Sequence, residues 1–316
     1  MWLVSIRTMG MLVEVAAADT STRACATSLS ERIPSGECDT GARRRPQIVV
    51  YACLPTNFCF PVLVEVVDDY ETLSDRAAEV LIGQIREKPD STIGFATGGT
   101  PKGLYDRLIE AYETQGLDFS KLTTFNLDEY VGLTPSHEQS YARYMWSNLF
   151  DHVNITEGQV HIPHGMAEDV DGHCRWYEHR IEEAGGIDLQ ILGIGANGHI
   201  AFNEPGSSLG SRTRIKTLSS KTVEDNARFF SDEEMVPEYA ITMGVGTIME
   251  AEEVLLLASG KRKAKAMKKT LEGPLTAMVP ASMVQMHRFA HVIIDDEAAS
   301  ELDYRHHHGI AEPKGR

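Results

Sequence analysis

Residues 189–208 read LQILGIGANGHIAFNEPGSS, and the fold follows from how this stretch is parsed. Leu189 to Ile194 is an apolar run with the length of a buried strand. Gly193, Gly195 and Gly198 then let the backbone turn sharply and approach another group closely. Just past the turn stand His199, whose side chain titrates near neutral pH, and the carboxylate of Glu204. Apolar Ile200, Ala201 and Phe202 lie between them, and Pro205 and Gly206 end the segment. A glycine-hinged loop at the C-terminal end of a strand, carrying an imidazole and a carboxylate, is where an α/β protein places chemistry.

The stretch contains a literal G-x-G-x-x-G, but a dinucleotide reading is rejected because that pattern alone is weak. Asn203 and Pro205 interrupt the helix that would have to follow. The region about 20 residues on, Thr213 to Lys216, offers no acid to hold a ribose. The loop also falls late in the series of strand–helix units.

Outward from this strand, apolar runs and amphipathic stretches alternate. Strands are predicted at 62–67, 92–96, 122–127, 159–162, 254–258 and 291–294, with an extended stretch at 212–218. Helices are predicted from Ser74–Asp75 onward, at 102–112 with Pro101 at the first helical position, and at 140–150, 171–184, 223–230 and 261–271. This alternation predicts an α/β fold: one domain with a Rossmann-like, mostly parallel sheet and helices on both faces. The domain is placed at 61–302. Residues 1–60 are read as a disordered extension or a start assigned too far upstream, and 303–316 as a polar tail.

The 316 residues carry a formal net charge of −16, which argues against nucleic acid or an anionic membrane surface as the main partner. A local cationic pocket for an anionic metabolite stays compatible with that field. No apolar run has the length of a membrane span. Four of the five cysteines, Cys25, Cys38, Cys53 and Cys59, fall in the first sixty residues in no zinc-like spacing. Cys174 alone lies beyond, which fits a reducing compartment and a cytoplasmic location. Acids among residues 14–39 argue against a transit peptide. His306–His308 sit in a polar tail read as solvated. His173, Glu178 and His179 do not have the spacing of a metal site.

Several residues carry possible chemistry. Thr97–Gly98–Gly99–Thr100 joins a strand to a helix, so freed N–H groups and the helix dipole favour an anion; an ordinary strand–helix turn is the alternative. Asp128 and Glu129 follow a strand and point to opposite faces, so one of them faces a site. A carboxylate there suits proton abstraction beside a carbonyl or imine, or else the capping of the next helix. Glu204 could orient His199 and stabilise its cation, with a structural histidine as the alternative. Arg228 and Lys263 lie on predicted helices near strand ends, where a cation reaches a phosphate or is merely solvated. Arg212, Arg214 and Lys216 alternate along extended chain, and such a row is exposed, paired with acids, or bound to an anion.

The segments ATGGTP (96–101), FNLDEYVGL (125–133), GIGANGHIAFNEPGSSLGSRTRIKTL (193–218), NARFF (226–230) and GVGTIMEAEEVLLLASG (244–260) resemble the glucosamine-6-phosphate deaminase family in order and content. The resemblance runs from about residue 62 to 302. It implies conversion of glucosamine 6-phosphate and water to fructose 6-phosphate and ammonia, without metal or organic cofactor. It implies Asp128 as the base between C2 and C1, His199 as the ring-opening residue and Glu204 as its partner. Gly98, Gly99, Thr100, Arg228 and Lys263 match the phosphate cradle. Asn197 stands where many members carry Asp; an amide can orient the imidazole but brings it no negative charge. Ser207, Arg214 and Lys216 match the residues that hold N-acetylglucosamine 6-phosphate at a subunit contact in regulated oligomeric members. Two alternatives remain from the sequence. One is 6-phosphogluconolactonase, which typically has Arg where Tyr130 stands and lacks Asn203–Glu204–Pro205. The other is a non-catalytic sugar-phosphate sensor.

Overall fold

The computed structural model describes residues 62–218, 223–224, 230 and 236–303, together with the backbone of three upstream strands, Leu3–Thr8 (β1), Met11–Ala16 (β2) and Gln47–Tyr51 (β3). The apolar runs form Val62–Val67 (β4), Thr92–Phe95 (β5), Thr123–Asn126 (β6), Val160–His161 (β8), Leu189–Gly193 (β9), Glu253–Ala258 (β12) and Ala290–Asp295 (β13). They join one sheet in the order β3-β4-β13-β12-β9-β5-β6-β8, parallel throughout except for β3. All six residues of β13 are buried, as is Val254–Ala258 of β12. Unbroken burial on consecutive residues means that both faces of the sheet are covered. Among the described residues, no helix is long and apolar enough to cross a membrane.

The strand order places a switch at β5 and β9. From β5 the chain steps outward through β6 to β8, whereas β9 is followed by β12 and β13 on its other side. The loops leaving β5 and β9 therefore diverge, opening a crevice at the C-terminal edge of the sheet. The 97–100 loop and the Gly195–Glu204 loop lie at that crevice.

Several boundaries differ from the sequence reading. Helix α1 runs Tyr70–Glu87, because Asp69 rather than Ser74 caps it, accepting from the Thr72 N–H at 2.8 Å. Ser74 is buried within the helix and donates to the Tyr70 carbonyl at 2.8 Å. Helix α2 runs Lys102–Gln115, with Pro101 just outside it and Gly116 closing it in the left-handed conformation. The run predicted at 122–127 ends at Asn126, and Asp128–Tyr130 becomes a separate strand, β7. This strand pairs antiparallel with Tyr239–Thr242 (β11), which pairs in turn with Arg214–Thr217 (β10). Neither β11 nor the short helix Val245–Met249 is foreseen from the sequence. Helix α3 is Tyr141–Asn148 and helix α4 is Val170–Glu183. The predicted basic helix splits into a 3-10 turn at Lys261–Lys263 and a helix at Ala264–Leu271.

β3 falls within the segment read as an extension, yet it lies against β4 at the edge of the main sheet. The four upstream cysteines, most of the helix predicted at 223–230, and His306–His308 lie outside the described residues.

Candidate active site

The C-terminal ends of four neighbouring parallel strands supply the site. β6 leads through Leu127 to Asp128, which is 6% exposed. Burial, and then the adjacent charge of Glu129, push its carboxyl up to about 8, with the nearby backbone of Phe202 opposing the shift. The Phe202 N–H donates to Thr242 Oγ1 at 3.2 Å, and Thr242 lies opposite Asp128 on β11, so the segment carrying Asp128 is tied through β11 to the loop that carries His199.

Glu129 faces the other way, as alternation along a strand requires. Its Oε1 accepts the N–H groups of Tyr130 at 2.8 Å and Tyr141 at 3.0 Å, and its Oε2 accepts that of Ala142 at 2.9 Å. Glu129 therefore caps α3. Of the two roles open to this acidic pair, Glu129 takes the cap, and Asp128 lies on the opposite side of β7.

The loop after β9 is wound tightly. The Gly195 N–H donates to the His199 carbonyl, and the Gly198 N–H to the Gly195 carbonyl, both at 2.9 Å. A Cβ at Gly195 would overlap the His199 imidazole, so glycine is needed for the ring to lie against the backbone. Ala201 holds φ 49°, a left-handed conformation that is uncommon for a residue with a Cβ. His199 Nδ1 stands 3.8 Å from Glu204 Oε2, with side-chain exposures of 28% and 9%. The Asn197 amide donates to Glu204 Oε2 at 2.8 Å, and its oxygen accepts the His199 backbone N–H at 3.1 Å. Asn197 thus acts on Glu204 and on the backbone of His199, where the sequence reading placed its amide on the imidazole.

Gly98 and Gly99 are exposed, Thr100 is half-buried, and a Cβ at either glycine would meet nothing. Gly98 has φ 105°. Lys263 reaches the same edge from the end of β12, donating to the Ile194 carbonyl at 2.6 Å. Arg228 lies outside the described residues.

The cationic row is divided. Arg212 bridges Glu178 and Glu250, both at 2.6 Å. Arg214 donates to Asn203 Oδ1 at 2.9 Å, and burial lowers its pKa. Lys216 is half-buried on the same strand face. Ser207 is 2% exposed, and its hydroxyl has no hydrogen-bond partner among the described residues. Two surface cavities of about 330 and 320 Å³ lie elsewhere, one beside Arg212 and Glu250 and one behind Glu129, and neither is lined by Asp128, His199 or the 97–100 loop.

Other residues of the site escape the sequence reading. Tyr141 lies against Phe202, ring centroids 5.9 Å apart and 6° from parallel. Tyr130 sits 5.4 Å from Phe202 and 5.9 Å from Phe230. This aromatic cluster packs on Phe202, whose N–H donates to Thr242 Oγ1 opposite Asp128. Its signal in the sequence is only the proximity of Tyr130 and Tyr141 to the acidic pair.

Comparison with known proteins shows the family to which the chain belongs. The model of a family described as glucosamine-6-phosphate isomerases/6-phosphogluconolactonase matches residues 68–293. A glucosamine-6-phosphate deaminase of Thermoanaerobacter sp. (strain X514) is 55% identical over 232 residues, covering 73% of this chain and 92% of that protein. The solved structure of a monomeric glucosamine-6-phosphate deaminase superposes with a TM-score of 0.74 at 46% identity, covering 75% of this chain and 99% of that one. A 6-phosphogluconolactonase from Trypanosoma cruzi superposes with a TM-score of 0.62 at 21% identity, covering 76% of this chain and 96% of that one, and shares the fold alone.

Proposed function

Because the chain belongs to the family of glucosamine-6-phosphate isomerases and 6-phosphogluconolactonases, we propose that it converts glucosamine 6-phosphate and water to fructose 6-phosphate and ammonia. Two features favour deamination over lactone hydrolysis. Tyr130 stands in an aromatic cluster where the lactonase pattern has a cation, and the Asn203–Glu204–Pro205 sequence is intact.

The observation that carries the reading is the buried Asp128 carboxyl, set opposite Thr242, whose hydroxyl accepts the Phe202 N–H of the same loop that holds His199 and Glu204. In this reading His199 takes the proton of the anomeric hydroxyl and delivers one to the ring oxygen, opening the pyranose. Glu204 stabilises the imidazole while it holds that proton. Asp128 removes the C2 proton while the C1 carbonyl oxygen takes a proton from solvent, giving a C1–C2 enolamine; the nitrogen lone pair then drives return of the proton from Asp128 to C1, leaving the C2 nitrogen as a protonated imine. The resulting C2 imine is hydrolysed by water, releasing ammonia. The N–H groups of residues 98–100, with Lys263 and Arg228, hold the phosphate. Asn197 positions Glu204. No step needs a metal or an organic cofactor, and ammonia release in the presence of a chelator tests that directly.

The effector proposal rests on Ser207, Arg214 and Lys216. Arg214 is bound to Asn203, the neighbour of Glu204, so N-acetylglucosamine 6-phosphate taken up by Arg214 would act on the catalytic loop through that contact. With an oligomer that responds in this way, saturation by glucosamine 6-phosphate is sigmoidal and becomes hyperbolic with effector. A hyperbolic curve that millimolar effector leaves unchanged removes this part. A single reduced cysteine among the described residues, Cys174, supports a cytoplasmic location.

A further inference from the structure

The 97–100 loop is held by tyrosines that the proposed reaction does not use. Tyr144, on α3, donates its hydroxyl to the Gly98 carbonyl at 2.6 Å. Tyr70, the first residue of α1, donates to the Gly99 carbonyl at 3.0 Å and accepts the Gly103 N–H at 2.8 Å. Each contact fixes a peptide plane. In a trans peptide the C=O of one residue and the N–H of the next point in opposite directions. Holding the Gly98 carbonyl on Tyr144 therefore aims the Gly99 N–H the opposite way, and holding the Gly99 carbonyl on Tyr70 does the same for the Thr100 N–H. Neither N–H donates to an acceptor among the described residues.

Two glycines in succession make these planes free to flip, since nothing lies where their Cβ atoms would be. A flipped plane would present a carbonyl oxygen to an approaching anion. The hydroxyls of Tyr70 and Tyr144 oppose this by holding the two carbonyls. The two donors come from different elements, so the loop is clamped between α1 and α3. The α3 anchor is itself fixed to the Asp128–Glu129 segment through the Glu129 cap.

We propose that Tyr70 and Tyr144 are positioning residues for the substrate's phosphate: their hydroxyls hold the Gly99 and Gly98 carbonyls so that the Gly99 and Thr100 N–H groups face the crevice. This inference rests on the reading of the 97–100 loop as the phosphate cradle. The test uses the full-length protein with Tyr70→Phe, Tyr144→Phe and Thr100→Ala. It measures kcat and KM for glucosamine 6-phosphate, the inhibition constant of inorganic phosphate as a competitor, and Tm. Loss of one such hydrogen bond is expected to raise KM and the phosphate inhibition constant together by roughly 3- to 10-fold, with kcat within about threefold of the parent. An unchanged phosphate inhibition constant in both tyrosine variants overturns the proposal, whether or not Tm falls. If Thr100→Ala still weakens phosphate in that case, the loop is the cradle and the tyrosines merely brace it. If Thr100→Ala also leaves phosphate unaffected, Thr100→Pro, which removes the N–H itself, decides the matter: an unchanged phosphate inhibition constant there as well shows that the loop is not the cradle.

Discussion

At the scale of single residues, Asp128 is held where its ionised form is disfavoured. Its folded pKa of about 8 lies above the usual carboxylate value of roughly 4. Between those values the native state keeps a proton that the unfolded chain has released, so stability falls as pH rises through this window. Above about 8 the cost of the buried charge is fully present. Asp128→Asn should therefore raise Tm more at pH 9 than at pH 4, and thermal melts at the two values check this. The same substitution should lower kcat by about 10²–10⁴-fold, because the amide keeps the shape and loses the basicity. In the parent protein, kcat/KM should climb with pH and level off above about 8, as the base ionises. Asp128, His199 and Glu204 are legible in the sequence as candidates because each follows a strand or a glycine turn. The division of labour between Asp128 and Glu129 is not, since it depends on where the N-terminus of α3 comes to lie. The bond from the Phe202 N–H to Thr242 is invisible as well, because a backbone donor leaves no mark in side-chain chemistry.

At the scale of elements, α3 links the parts of the site. Its N-terminus is capped by Glu129, Tyr141 packs on Phe202, and Tyr144 holds the Gly98 carbonyl. Glu129→Gln keeps one acceptor and loses the second along with the charge that suits a helix N-terminus. A loss of about 1–3 kcal/mol in unfolding free energy is expected in a denaturant titration, with kcat reduced far less than in Asp128→Asn. A kcat as low as that of Asp128→Asn would move the base to Glu129. The central strands are legible because unbroken apolar runs bounded by glycine or polar residues leave little choice. The start of α1 is misread because Asp69 and Ser74 are both good caps in sequence, and only packing decides that Ser74 is buried. β11 is missed because four residues, Tyr239–Thr242, give too short a period to register.

At the scale of the whole molecule, alternating strands and helices reveal a parallel sheet but not the order of its strands. That order places the loops after β5 and β9 at a switch, and it comes from long-range pairing such as Ile93 with Leu189. The upstream segment is a separate matter. The relative from Thermoanaerobacter aligns over 92% of its length with 232 residues of this chain, so most of the shared domain lies within that match. Deleting residues 1–57 removes β3 and leaves β4 as the sheet edge. The truncated protein should keep kcat within about threefold and lose a few degrees of Tm, since the site is built from later strands. An inactive or insoluble truncation would show that β3 belongs to the folding unit. The central claim, that these strand ends carry out deamination, is tested most directly by incubating the full-length protein with glucosamine 6-phosphate and measuring ammonia and fructose 6-phosphate together. The expected result is equimolar formation of both, undiminished by a chelator. Absence of ammonia, with hydrolysis of 6-phosphogluconolactone by the same preparation, would contradict it.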